Sequence, residues 1–124
     1  MDWDLLSMIL YVAVGGAIGA TLRFLIGHSV ESSGFPWSTF IVNMAGCALV
    51  AALAFSVGDV LSRNAIVFLF IGVFGAFTTM STFTLETVTL FHDGEAMKAW
   101  GNVILNGGGC LLGAFVGRYL VLFF

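Results

Sequence analysis

Charge is what this chain has least of. Charged residues fill 9% of its 124 positions, four Lys and Arg against seven Asp and Glu, where a soluble domain carries about 25%. So few charges cannot cover a water-facing surface, which excludes a soluble globular enzyme. The 60% hydrophobic content excludes a disordered chain. Four cations and a net charge of −3 build no basic patch, so nucleic acid is not expected as a partner. Proline occurs once, at Pro36. Cysteine occurs twice, at Cys47 and Cys110, both inside long apolar runs, so no disulfide framework is expected and each reads as a small apolar residue. The N-terminus carries Asp2 and Asp4 in place of the basic region of a secretory signal. No phosphate-binding glycine loop, Ser/His/Asp set or side-chain metal cluster is visible, and His28 and His92 read as solvated loop residues. An integral membrane protein remains.

The charges that do occur divide the chain. Residues 5–22, 32–58, 64–85 and 99–117 carry none, and each run approaches or exceeds the roughly 20 residues a helix needs to cross the hydrocarbon. The first can extend past Arg23, because a long cation near a helix end snorkels to the interface. The spacing therefore predicts an all-α membrane protein, a single domain over 1–124 with spans near 5–27, 37–57, 64–91 and 97–122. A β-barrel would require alternation, whereas residues 49–55 and 66–74 are apolar on every side. Trp3, Trp37 and Trp100 fall near the span ends, where an aromatic belt is expected.

Four spans put Arg63 and Arg118 towards one side and Arg23 and Lys98 towards the other. The positive-inside rule then gives no direction, which fits either chance balance or insertion in both orientations. Small residues recur at four-residue steps: Gly15 and Gly19; Gly72 and Ala76; Gly109, Gly113 and Gly117. Such steps let helix backbones approach closely in lipid, within the chain or against a partner subunit.

Polar residues inside spans are costly and are functional candidates by default. Thr39 and Asn43 share one face of the second span. Asn102, Asn106 and Cys110 form a stripe on the last. Each set reads either as interhelical hydrogen-bonding glue or as a track past which something moves. In the third span, Thr78, Thr79, Ser81, Thr82 and Thr84 crowd together behind Gly75, with Glu86 following. Glycine and β-branched threonines weaken a helix, and Ser or Thr can cap a restarted one, so a break is expected near Gly75–Thr79. A broken membrane helix exposes carbonyls and is tolerated only inside protein or along a water-filled cavity.

Three stretches carry a family resemblance: Gly15-Gly16-Ala-Ile-Gly19-Ala-Thr-Leu-Arg23, Thr39-Phe-Ile-Val-Asn43-Met-Ala-Gly46, and Gly75-Ala-Phe-Thr78-Thr79-Met80-Ser81-Thr82-Phe83-Thr84-Leu-Glu86. Over essentially its whole length the chain resembles the CrcB/Fluc fluoride channels. The resemblance implies an antiparallel, dual-topology homodimer in the cell inner or plasma membrane, with two parallel fluoride pores and a central structural sodium ion. It implies that backbone carbonyls of Gly75 and Thr78 hold the sodium. It places Asn43 and Phe83 in the pore, with Thr39, Ser81, Thr82 and Glu86 along a polar track and Arg23 matching the family's arginine. Met80 stands where the family pattern has its first phenylalanine. Asn102 and Asn106 are candidates on the last helix. Two other readings share the size and the spans: a small proton-coupled multidrug or cation exporter, and a non-transporting accessory subunit. The exporter would want an acidic residue in the first span, which has none between Asp4 and the following loop.

Overall fold

The structure is a computed structural model describing residues 3–30 and 33–123. Among these residues it is entirely helical, without strands. Helix α1 is Trp3–Ser29 and α2 is Trp37–Val57. Helix α3 comprises three consecutive stretches, Arg63–Ile66, Val67–Phe74 and Gly75–Phe77, of which the middle one is wound as a π-helix. Helix α4 is Met80–His92 and α5 is Ala96–Val121. Taking α3 and α4 together, four helical stretches of 27, 21, 30 and 26 residues are long and apolar enough to cross a bilayer. The chain is a multi-pass membrane protein.

Local chemistry sets the ends. Ser62 caps α3, its hydroxyl accepting the Ala65 N–H at 3.2 Å. Gly94, with φ of 77°, makes the turn between α4 and α5 that an L side chain would strain. His28 and His92, expected in loops, instead lie in the last turns of α1 and α4, where a cation complements the helix dipole.

The four-residue glycine steps serve packing within the chain. On α1, a Cβ at Gly15 would stand 2.5 Å from the Phe68 carbonyl oxygen and 3.1 Å from the Gly72 Cα, and one at Gly19 would collide with the Val73 carbonyl. Helices α1 and α3 therefore touch backbone to backbone. On α5, a Cβ at Gly109 would meet the Phe40 ring, at Gly113 the Met44 carbonyl and at Gly117 the Ala48 carbonyl. Both partners of these contacts advance in the same direction, so α2 and α5 run parallel. With hydrocarbon on the outside, such close approach supplies the dispersion energy that hydrophobicity does not.

Forcing a branched side chain into either seam costs packing energy. Gly117→Val is expected to destabilise the protein by about 1–3 kcal/mol. Gly108→Ala meets nothing within 4 Å and should leave stability level or slightly raised. Thermal unfolding in detergent compares the two.

Candidate functional site

The site begins where α3 stops. Thr78 has φ −78° and ψ 155°, and Thr79 has φ −147° and ψ 110°. Both are extended, so the helical hydrogen-bond ladder is interrupted between Phe77 and Met80. The freed groups find partners on α2. Asn43 Oδ1 accepts the Thr79 N–H at 2.8 Å, and Asn43 Nδ2 donates to the Thr79 carbonyl at 3.1 Å. One side-chain amide thus satisfies both backbone groups of one residue. Downstream, Thr79 caps α4: its hydroxyl accepts the Thr82 N–H at 3.2 Å and donates to Thr82 Oγ1 at 2.9 Å, with Ser81 Oγ at 3.3 Å.

These diversions leave two carbonyls without their helical donors. In a continuous helix the Gly75 carbonyl would accept from the Thr79 N–H, which goes to Asn43 instead. The Thr78 carbonyl would accept from the Thr82 N–H, which goes to the Thr79 hydroxyl. Gly75 is exposed and Thr78 half-buried. Carbonyl oxygens are the ligand type that hard cations take. Among the described residues no three His, Cys, Asp or Glu side chains converge.

From Asn43 a buried polar chain continues into α5. Asn43 Nδ2 donates to Asn106 Oδ1 at 3.0 Å, Asn106 Nδ2 to Asn102 Oδ1 at 2.8 Å, and Asn102 Nδ2 to Thr87 Oγ1 at 3.0 Å. Asn102 is wholly buried and acts as a tie between α4 and α5. Asn43 is also a tie: both of its amide hydrogens are engaged. Thr78 and Thr84 bond back to carbonyls four residues earlier, leaving Thr79, Ser81 and Thr82 as the interacting hydroxyl group.

Two clefts meet at Thr79. The larger, about 710 Å³, is walled by Asn43, Asn106, Met80, Phe83, Gly75 and Thr78 among others. The smaller, about 320 Å³, is walled by Arg23, Ser38, Thr39, Thr82 and Glu86. Glu86 and Ser38 also border a third opening, of about 570 Å³, towards Phe35 and Pro36. Within the second cleft the Thr39 hydroxyl donates to Glu86 Oε1 at 2.7 Å, while buried Glu86 Oε2 has no partner among the described residues. Arg23 shares this cleft without an ion pair to Glu86; the one salt bridge among the described residues joins Lys98 to Glu95.

The sequence-derived candidates therefore divide into two groups: Asn43, Met80, Phe83, Asn106, Gly75 and Thr78 on one cleft, and Arg23, Thr39, Thr82 and Glu86 on the other. Ser81 is exposed beside them. Thr79 belongs to the hydroxyl cluster without a distinct role in the sequence, and Thr87 lies outside it. Thr79's signal is its place directly before the restarted helix, and Thr87's is only its partner across the α4–α5 hairpin, which no local pattern announces. No local pattern announces the π-wound stretch either.

The sequence pattern of the family described as CrcB-like protein, Camphor Resistance (CrcB), matches residues 10–118. The chain belongs to the CrcB family. It is similar to a protein from Shewanella halifaxensis named "Fluoride-specific ion channel FluC", with 41% identity over 94% of this chain and 97% of that protein. A protein of the same name from Rhodospirillum rubrum is 37% identical over 88% of this chain and 90% of its own length. Another, from Methylocella silvestris, is 35% identical over 88% of each. The family is one of channels and not of enzymes.

The Asn43–Asn106 bond makes the two residues one energetic unit. Alanine at either should cost about 1–3 kcal/mol. The double variant should differ from additivity by about 0.5–3 kcal/mol. A double-mutant cycle on unfolding in detergent measures this.

Proposed function

We propose that this CrcB-family chain is a passive, fluoride-selective channel of the inner or plasma membrane, working as an antiparallel homodimer with two pores. The observation that supports this most is the meeting of two clefts at Thr79. There a file of uncharged donors, from Asn106 and Asn43 through the Thr79, Ser81 and Thr82 hydroxyls to Thr39, joins one side to the other. The related proteins' shared name supplies the ion.

Fluoride is small and strongly hydrated. It crosses only if protein donors replace its water stepwise and none holds it too tightly. Asn43 already spends its donors on a carbonyl and an amide oxygen. A passing fluoride is the stronger acceptor and exchanges with one of them, so the site is not rigidly committed. Phe83 presents a ring whose edge carries partial positive charge. Met80, 73% exposed on the same cleft, offers a polarizable thioether in place of a second ring. At the other end, Arg23 draws anions to the mouth. Glu86 Oε2 donates to an anion when protonated and repels it when ionised.

Two-sided insertion agrees with the even division of Arg63 and Arg118 against Arg23 and Lys98. In an antiparallel pair the Gly75 and Thr78 carbonyls of both protomers would supply oxygens to a structural sodium ion. Such an ion adds fixed positive charge near the anion path. The biological logic is acid–base: neutral HF enters and dissociates, and an inside-negative potential drives the trapped anion out with about 2.3 kcal/mol per 100 mV. Against a proton-coupled exporter, α1 carries no acidic residue beyond Asp4 in its first turn, and Glu86 lies on α4.

Purified protein in liposomes, read with a fluoride electrode, tests this. Asn43→Ala and Phe83→Ile should each abolish passive fluoride efflux while the dimer persists on size exclusion. Efflux at the wild-type rate in both variants would remove the proposed path.

A further inference from the structure

Both cysteines of the chain face the larger cleft. Their placement follows from the parallel register of α2 and α5. Asn43 on α2 bonds to Asn106 on α5, and four residues further along each helix stand Cys47 and Cys110. A sulfur rung therefore lies one turn, about 6 Å, from the asparagine rung. One turn on from that bonded pair, the two thiols border the same cavity, and both are free and half-buried. They line the same cavity as Asn43, Asn106 and Met80, so a third sulfur-bearing residue borders it. No Lys or Arg lines that cavity.

We propose that Cys47 and Cys110 together form a binding site for a monovalent thiophilic cation of the copper group, Cu(I) or Ag(I). Soft sulfur ligands select such ions over hard ones, and two sulfur ligands are the number that such ions take. One ion bound by one thiolate and one thiol releases one proton and leaves the site neutral. In an apolar wall this avoids the cost of a buried net charge. A hard cation finds no oxygen cage there, which separates this site from the carbonyls of Gly75 and Thr78. The bound ion would sit one turn from Asn43 and obstruct the larger cleft. Binding itself does not depend on the channel reading; its effect on flux does.

Silver nitrate titrated into purified protein in chloride-free buffer tests the site by calorimetry, with bound silver counted by atomic absorption. The wild-type chain should take up one Ag(I). C47S and C110S should each lose affinity by about tenfold or more, and C47S/C110S should bind more weakly than either. In vesicles, silver should slow fluoride efflux of wild type, and silver-treated C47S/C110S should match its own silver-free rate. Undiminished affinity in either single variant, or no uptake by wild type, would overturn the site. Because binding is read without flux, vesicles silent to fluoride would count against the channel and not against the site.

Discussion

A chain in hydrocarbon has no water to satisfy a backbone group that leaves its helix. The whole arrangement rests on how this is met at Thr79. Its N–H and its carbonyl both turn to the Asn43 amide, which pairs with the backbone as a neighbouring strand would. Without that side chain, two buried backbone groups would each lack a partner, a cost of about 1–3 kcal/mol apiece. With it, the interruption between α3 and α4 becomes an ordered feature that leaves the Gly75 and Thr78 carbonyls uncommitted.

Everything around the junction serves to place it. The backbone contact of Gly15 and Gly19 with α3 fixes where that helix ends. The contact of Gly109, Gly113 and Gly117 with α2 sets the register that brings Asn106 to Asn43 and Cys110 to Cys47. Asn102 and Thr87 tie α4 back to α5, so the restarted helix is held at both ends. The glycines are thus not decoration of a lipid-facing surface. A single methyl group at several of them would move the asparagine rung. In the proposed channel, structural tie and ion contact would be two uses of the same donors, because a hydrogen bond that can be exchanged for an anion is one that an empty path must otherwise satisfy.

The four spans are legible in the sequence because charges bound them and because membrane helices need length more than pattern. The weak place in the third is also legible: Gly75 and the threonine run announce a stretch with poor helix propensity and ready caps, and the extended dihedrals fall at Thr78 and Thr79. Spacing shows that Asn102 and Asn106 share a face but not what they face. That depends on the parallel register of α2 and α5, a tertiary fact. The π winding of Val67–Phe74 has no local signal in so uniformly apolar a run; there the carbonyls of Phe68 and Val73 lie against glycines of α1. The link from Thr39 to Glu86 joins residues 47 apart and could not be read from either segment.

The account stands on the Asn43 amide passing a hydrogen bond between protein and anion. Its side-chain N–H resonances, observed by nitrogen-15 NMR of the protein in lipid nanodiscs and assigned through Asn43→Asp, report that exchange directly. Titration with fluoride should shift the Asn43 amide protons downfield to saturation, and chloride at equal ionic strength should leave them in place. Asn43 resonances that stay fixed in fluoride, in a preparation that still conducts the ion, would contradict the account.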